Sequence, residues 1–499
     1  VLWVLFVDFA IQVGLHVIPM MHLPGLGFAH GPHSVYVGLL CYEADNFSYA
    51  AWAAQAQRGH VLLTDLFTTE PHAAFLFNPY FLVVGCLAWL TGSNPMVVMV
   101  VLGVVAAPLL GLLVDRIAAA LRFSARARFL AVTLVLFCTG PSAILRPFGW
   151  GGIDASYFDL FPATMVSFPY QAAAAAGAAC SVLLMCRMWN SPPGRRMAWV
   201  AGCGLAVGVL SLCRPYLLPC LALMLMVSVV LMPGGAGRRY RYLGVALALL
   251  LPVALYVGVL SHLPVWHDVA LGYQRILVSR PEVAAGFSLF WLAGTLGAVR
   301  AWRARRWELA PLCAWAGVTV VVSLALGRAA TKFDDSVVIV FGLLGAYGLE
   351  PLLAGPRRIA VLLGIGVALA STVNGWAAMV HSLTPGPERD LLALAARIRM
   401  APGTPLVLAG CDGADALPAF GGARVFAGHW SMTLDNDAKC ARLAAAGFGG
   451  GAGEQASFDG LLAETHPQFL VMRADSAAAR FAGGRPVVSA AGDWRLVQP

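Results

Sequence analysis

The stretch YEADNFSYAAW, residues 42–52, sets Glu43, Asp45 and Asn46 among Tyr42, Tyr49 and Trp52, in a chain that is otherwise built largely from apolar runs. Tyr42, Asp45, Tyr49 and Trp52 follow one another at spacings of 3, 4 and 3, so on a helix they share one face. A carboxylate set between aromatic rings suits a sugar: rings pack on its C–H faces and the carboxylate accepts from its hydroxyls. Partial screening from water would also raise the carboxyl pKa and make Asp45 a better general base. The same residues allow a plainer arrangement, in which Asp45 caps a helix starting at Asn46 and the rings anchor at a membrane interface.

Other polar residues stand out against the apolar background. Glu70 and His72 flank Pro71, as a second acid, a metal ligand or a solvated turn. Asn78-Pro79 breaks the apolar run 71–90. The segment 146–170 is long and aromatic-rich for a connection and carries Asp154, Asp159 and Trp150. Arg214 lies in CRPY between two apolar runs, where a cation needs a partner: an ion pair or a lipid phosphate. Arg275, Arg280, Arg328 and Lys332 fall at the same ends of their runs, as snorkelling anchors or as a converging set of cations. Asp8 and Gln12 share a face of the first run and point into a bundle.

The elements that must position these residues follow from composition. The chain has 499 residues, 59% hydrophobic and 12% charged, with mean hydropathy +0.76. Soluble domains run at roughly 45–50% apolar and about 25% charged. This is a polytopic α-helical membrane protein, with spans at 1–21, 96–114, 127–143, 170–187, 197–213, 215–232, 242–260, 286–300, 308–327, 335–353 and 358–380, about eleven in all. The first run lacks a basic leader and an A-x-A site, so it reads as an anchor. The net charge of +8 resides in short loops and forms no basic patch of the kind that binds nucleic acid.

Arginine is concentrated at 116–128, 187–196, 238–241, 300–306 and 357–358, and is sparser in the alternate loops. The positive-inside rule then puts those loops and the N-terminus in the cytoplasm, provided that 71–90 does not cross. That run is expected to lie at the outer interface or to re-enter, with 22–95 as one long first outer loop.

The chain changes character after residue 382, giving a transmembrane domain, 1–382, and an extracytoplasmic domain, 383–499. Short apolar strands at 405–410, 423–428, 468–474 and 494–498 alternate with helical patterns at 389–400, 436–447 and 457–465, which predicts a small α/β domain. GFGGGAGE, 447–454, lacks the strand and GK[ST] of a phosphate loop and reads as a flexible linker. Cys411 and Cys440 can pair if this segment is outside the cell. Most other cysteines lie in apolar runs, and no Cys/His set has zinc spacing.

The motifs resemble the GT-C superfamily of membrane glycosyltransferases, in particular a bacterial branch with a D…Y…G…N-P-x-F…G first loop. Here these are Asp45, Tyr49, Gly59, Asn78-Pro79-Tyr80-Phe81 and Gly85. Arg214-Pro215-Tyr216 stands where the branch has a His-Pro-Tyr-like element, with arginine in place of histidine. Gly428-His429-Trp430-Ser431-Met432-Thr433 and Lys439 match a G-H-W-x-x-T…K signature of the C-terminal domain.

The resemblance implies transfer of a sugar, with inversion, from a polyprenyl-phosphate donor to an extracytoplasmic glycan, lipid or protein acceptor at the outer face of the bacterial inner membrane. Asp45 would be the general base. Arg214, Arg280 and Lys332, backed by Arg328, would neutralise the departing phosphate. Tyr49, Trp52, Glu70, His72, Asn78 and Asp154 would help to bind substrate, and His429 and Trp430 would bind or position the acceptor. Nothing in the sequence requires a metal or another cofactor. A transporter would instead place charges near mid-span and repeat its halves, and a non-catalytic scaffold of the envelope would tolerate loss of Asp45.

Overall fold

The computed structural model describes residues 1–20, 43–138, 140–141, 168–273, 280–326, 337–381, 387–449 and 451–499. Each of the eleven predicted apolar runs falls on a helix. These are α1 (Leu2–Met20), α4 (Pro95–Ala120), α5 (Ala125–Phe137), α6 (Pro169–Asn190), α7 (Arg196–Cys213), α8 (Leu218–Leu231), α9 (Ala236–His262), α11 (Arg280–Arg303), α12 (Ala310–Leu326), α13 (Val337–Leu353) and α14 (Arg358–His381). Among the described residues four helices are long and apolar enough to cross a membrane by length and composition: α4, α6, α9 and α7 with the turn that precedes it. On α9, Leu247, Leu251, Leu255 and Val259 recur at every fourth position and are all exposed. An apolar stripe of that length left uncovered is what a lipid-facing helix presents.

The chain forms two compact units, and neither is continuous in sequence. One contains Val1–Met21, Val101–Val259 and Gln274–His381; the other contains His22–Val100, Leu260–Tyr273 and Ser382–Pro499. The segment His22–Val100 is thus grouped with the C-terminal region.

In the first unit small residues let backbones approach. A side chain at Gly297 of α11 would collide with the Leu344 carbonyl of α13, so only glycine fits this crossing. At the arginine-rich ends, Arg128 pairs with Asp115 at 2.6 Å, and Arg300 pairs with Glu350 at 3.2 Å while lying 4.2 Å over the Tyr347 ring.

The second unit is built on a five-stranded sheet and three helices from outside the C-terminal region. The helices are α2 (Glu43–Gln57), α3 (Pro79–Thr91) and α10 (Pro264–Tyr273). The strands are β1 (Leu406–Ala409), β2 (Arg424–Val425), β3 (Phe469–Arg473), β4 (Val487–Ala491) and β5 (Trp494–Val497), in the order β2-β1-β3-β5-β4. β1 pairs in parallel with β2 and β3, while β5 runs antiparallel to β3 and β4. Helices α15 (Arg389–Ile398), α16 (Asn436–Ala445), α17 (Gln455–Thr465) and α18 (Ala477–Phe481) complete it.

Four of the five strands and the first three of these helices lie where the sequence predicts them. β4 is the exception: it is a mostly exposed edge strand whose sequence, VVSAA, does not alternate apolar with polar and ends in alanines, which are poor strand formers. The Gly-rich segment also differs from a simple linker at its ends. Gly447 and Gly453 have positive φ and lie close together, and Phe448 is buried in the core.

Candidate functional site

Asp45 is the third residue of α2, in its first turn rather than at its cap, because the helix already begins at Glu43. The helix-cap arrangement predicted for Asp45 therefore does not occur. The Asp45 side chain is 18% exposed. Its Oδ1 accepts a hydrogen bond from Trp430 Nε1 at 3.2 Å, and His429 Nε2 lies 3.3 Å from the same oxygen. Trp430 is 44% exposed beside the carboxylate, whereas His429 is fully buried.

The predicted aromatic neighbours are placed differently. Tyr49 and Trp52 are each 7% exposed. Tyr49 stacks on Phe81 with centroids 5.8 Å apart, and Trp52 packs on Phe81 at 5.3 Å and Trp266 at 6.3 Å. These rings form the core joining α2 to α3 and α10, because large apolar surfaces there gain more from mutual burial than from exposure. The half-exposed ring at Asp45 comes instead from the C-terminal region. Tyr42 lies outside the described residues.

Asn78 and Pro79 start a helix rather than interrupt one. Asn78 Oδ1 accepts from the backbone N–H groups of Tyr80 at 3.1 Å and Phe81 at 3.4 Å, with Pro79 at the first helical position. This is the usual chemistry of a helix N-terminus, so α3 occupies only the second part of the apolar run 71–90. The α2–α3 contact is close at Gly85, where an added Cβ would stand 2.6 Å from Ala56 Cβ and from Gln57 N.

Glu70 and His72 are both tied into the fold. Glu70 accepts from Lys439 Nζ at 2.6 Å and from Thr68 Oγ1. Burial alone would raise its carboxyl pKa, but the bonds from Lys439 and Thr68 outweigh it and hold the group below its ordinary 4.5. His72 Nδ1 donates to the Glu70 carbonyl at 2.8 Å, while its Nε2 accepts from the Asp65 N–H at 3.0 Å and from Thr64 Oγ1 at 2.8 Å. Both ring nitrogens are thereby engaged in shaping the loop.

The sequence reading passed over Asp65. It is completely buried, and its Oδ1 accepts from the Phe67 N–H at 2.8 Å. Burial pushes its carboxyl up to about 7, with Glu70 adding to the rise and the Phe67 N–H, Lys439 and Arg424 opposing it. The neighbouring backbone is the seam with the C-terminal region. Val425 N–H donates to the Leu66 carbonyl at 2.9 Å, and Thr433 Oγ1 donates to the Phe67 carbonyl at 2.7 Å. The GHWSMT segment is the turn that carries His429, Trp430 and Thr433. The disulfide Cys411–Cys440, with Cα atoms 5.8 Å apart, ties the segment after β1 to α16 on the far side of that turn.

Arg214 belongs to the first unit. It follows α7, is 5% exposed, and sits 5.2 Å over the Tyr170 ring. Asp154, Arg275, Arg328 and Lys332 lie outside the described residues, and the Arg280 side chain, at the start of α11, is likewise not described. Among the described residues no three His, Cys, Asp or Glu side chains converge as a metal site would require.

The whole chain can be compared with known proteins. The Archaeoglobus fulgidus oligosaccharyltransferase, in complex with Zn and sulfate, aligns with 94% of this chain and 68% of its own at TM-score 0.55 and 15% identity. ArnT from Cupriavidus metallidurans, bound to undecaprenyl phosphate, aligns with 99% of this chain and 97% of its own at TM-score 0.51 and 17% identity. The fold is that of the GT-C glycosyltransferases. The arabinofuranosyltransferase AftD from Mycobacteria shares this GT-C fold over 99% of this chain and 39% of its own, at TM-score 0.53 and 14% identity. No protein-family model matches the sequence, and no curated protein matches it. The likeness to the GT-C enzymes is thus carried by structure.

Proposed function

We propose that this protein is an integral membrane glycosyltransferase that moves a sugar from a polyprenyl-phosphate donor to an extracytoplasmic acceptor, with Asp45 as general base. The observation that carries the reading is the placement of Asp45 under two N–H-bearing side chains of the C-terminal region, in a chain with the GT-C fold. The Trp430 indole N–H donates to Oδ1 with His429 Nε2 close by, and only the carboxylate form of Asp45 can take a proton from an acceptor hydroxyl. The exposed Trp430 ring beside it gives the acceptor an apolar face to stack on.

A departing polyprenyl phosphate needs no general acid, because its conjugate acid is already strong. One carboxylate therefore suffices, and direct displacement inverts the anomeric centre. The developing phosphate charge calls for cations, a role we assign to Arg214, Arg280 and Lys332. We place the enzyme in the bacterial inner membrane with its N-terminus in the cytoplasm. The concentration of arginine in alternate loops supports that orientation. So does the Cys411–Cys440 disulfide, since such bonds persist in oxidising compartments.

The test is transfer of radiolabelled sugar from a panel of polyprenyl-phosphate sugars in membranes containing the wild type or Asp45→Asn. Asparagine keeps the size and an acceptor oxygen but takes no proton, so a fall of about 100-fold or more is expected. Wild-type rates in Asp45→Asn would remove Asp45 from the mechanism. Absence of transfer from every donor by the wild type would remove the transferase reading itself.

A further inference from the structure

His429 is fixed from both ends. Its ring is fully buried, with Phe67 edge-on at 5.3 Å and Trp430 stacked at 6.0 Å. Nδ1 accepts hydrogen bonds from the backbone N–H groups of Ser431 at 3.1 Å and Met432 at 3.0 Å. A proton on Nδ1 would point at two N–H donors, so Nδ1 is bare and the ring carries its proton on Nε2. Nε2 is the atom that lies 3.3 Å from Asp45 Oδ1, a close polar contact rather than a formed hydrogen bond. The opposite tautomer would fail twice, setting N–H against N–H at one end and a lone pair against a carboxylate oxygen at the other.

The turn that does this is itself braced. His429 N–H donates to Thr433 Oγ1 at 3.1 Å, Thr433 N–H returns to the His429 carbonyl at 3.0 Å, and Thr433 Oγ1 donates to the Phe67 carbonyl. The backbone of residues 429–433 therefore selects the tautomer, and the tautomer decides what Asp45 meets.

We infer that His429 is a positioning residue for Asp45: the 429–433 turn locks its Nε2–H tautomer, and that polar edge, 3.3 Å from Oδ1, together with the hydrogen bond from the Trp430 indole N–H, keeps the Asp45 carboxylate in its working orientation. This rests on the reading of Asp45 as the general base. His429 touches no substrate in this scheme. It acts through Asp45, so its loss should lower turnover while leaving acceptor affinity largely intact.

Two substitutions separate the ends of the ring. His429→Asn puts an oxygen where Nδ1 stands, which keeps the turn, and removes the Nε2 donor. His429→Gln puts an N–H where Nε2 stands and removes the backbone acceptor. With the purified full chain, His429→Asn should melt like the wild type, with kcat about 100-fold lower, as for a misoriented catalytic group, and acceptor KM within about 3-fold of the wild type. His429→Gln should melt lower but retain more kcat than His429→Asn. Wild-type kcat in His429→Asn overturns the inference. So does a loss that appears only as raised KM.

A second measurement is independent of catalysis. In the chain labelled with 15N-histidine, the His429 signals, assigned by their loss in His429→Gln, should show a bare Nδ1 and a protonated Nε2. A proton on Nδ1 overturns the inference whether or not the chain transfers sugar. If the wild type transfers from no donor, the transferase reading fails and the tautomer measurement alone decides the lock.

Discussion

Asp45 and Trp430 are 385 residues apart in the chain, yet the indole Nε1 of one donates to the carboxylate of the other at 3.2 Å. The bond joins the His22–Val100 segment to the C-terminal region within one compact unit. It also gives Asp45 an aromatic neighbour that its own helix does not provide.

Trp430 should therefore have two separable roles. Trp430→Phe keeps a stacking ring and loses the donor, while Trp430→Ala loses both. In acceptor titrations of sugar transfer, Ala should raise acceptor KM by about 10-fold, the equivalent of about 1.4 kcal/mol. Phe should leave KM closer to the wild type and lower kcat. Equal KM in all three proteins would take Trp430 out of acceptor binding.

Asp65 should make stability fall as pH rises. Its carboxyl stands at about 7 in the fold, against 3.8 for the ordinary group. Below 3.8 both folded and unfolded chains hold the proton, and this stability is fully present. As pH rises from there the unfolded chain ionises first, so the contribution is lost by about pH 7, on the order of 4 kcal/mol in all. Thermal melting in detergent across pH 4–8 should show this slope in the wild type and lose it in Asp65→Asn. An unchanged slope in the variant would show that another group sets it.

Glu70 should act in the opposite direction. Its folded pKa is held below 4.5, so its contribution is present above that value and lost as pH falls through the folded pKa. Lys439 is 9% exposed at its side chain and Glu70 37%. Glu70→Gln would leave a nearly buried ammonium without its carboxylate and should cost about 2 kcal/mol, less than for a fully buried pair because Glu70 remains partly in water. Adding Lys439→Met to Glu70→Gln should recover most of that loss. A double variant less stable than Glu70→Gln would contradict the pairing.

Gly85→Ala should separate α2 from α3. The new methyl would stand 2.6 Å from Gln57 N and 2.7 Å from the Ala53 carbonyl, backbone atoms that cannot rotate away. The expected cost is about 2 kcal/mol, read as a lower melting temperature of the full chain. An unchanged melt would show that the α2–α3 contact at Gly85 gives way without cost.

Reduction of Cys411–Cys440 should also destabilise the second unit. The bond closes a segment of sequence separation 29. Chain-entropy reasoning puts its loss at about 3.6 kcal/mol. Replacing both cysteines with serine should lower the melting temperature and abolish its sensitivity to reductant. If the wild-type melt does not respond to reductant, the pair is not oxidised in the protein.

Much of the architecture was legible in the sequence because it depends on local pattern. Apolar runs, proline and glycine punctuation, and alternating strand residues placed the helices and four of the five strands. The edge strand β4 escapes the pattern because VVSAA has no alternation and ends in alanines, and an exposed edge imposes none. Hydropathy marked the apolar helices of a membrane fold, since membrane partition is nearly a sum over residues. The short motifs also pointed correctly to the GT-C fold.

Tertiary structure alone decided what surrounds each chemical group. Tyr49 and Trp52 share a helical period with Asp45, but period does not say which side another helix covers, and Phe81 and Trp266 bury them. Asp65 carries no motif; only complete burial moves its proton affinity. Asp45, His429 and Trp430 meet because long-range packing closes the chain on itself, and Nδ1 of His429 is bare because a turn points two N–H groups at it. Sequence supplies the groups and their local elements. Burial and the direction of hydrogen bonds, which set their chemistry, exist only once distant segments have packed together.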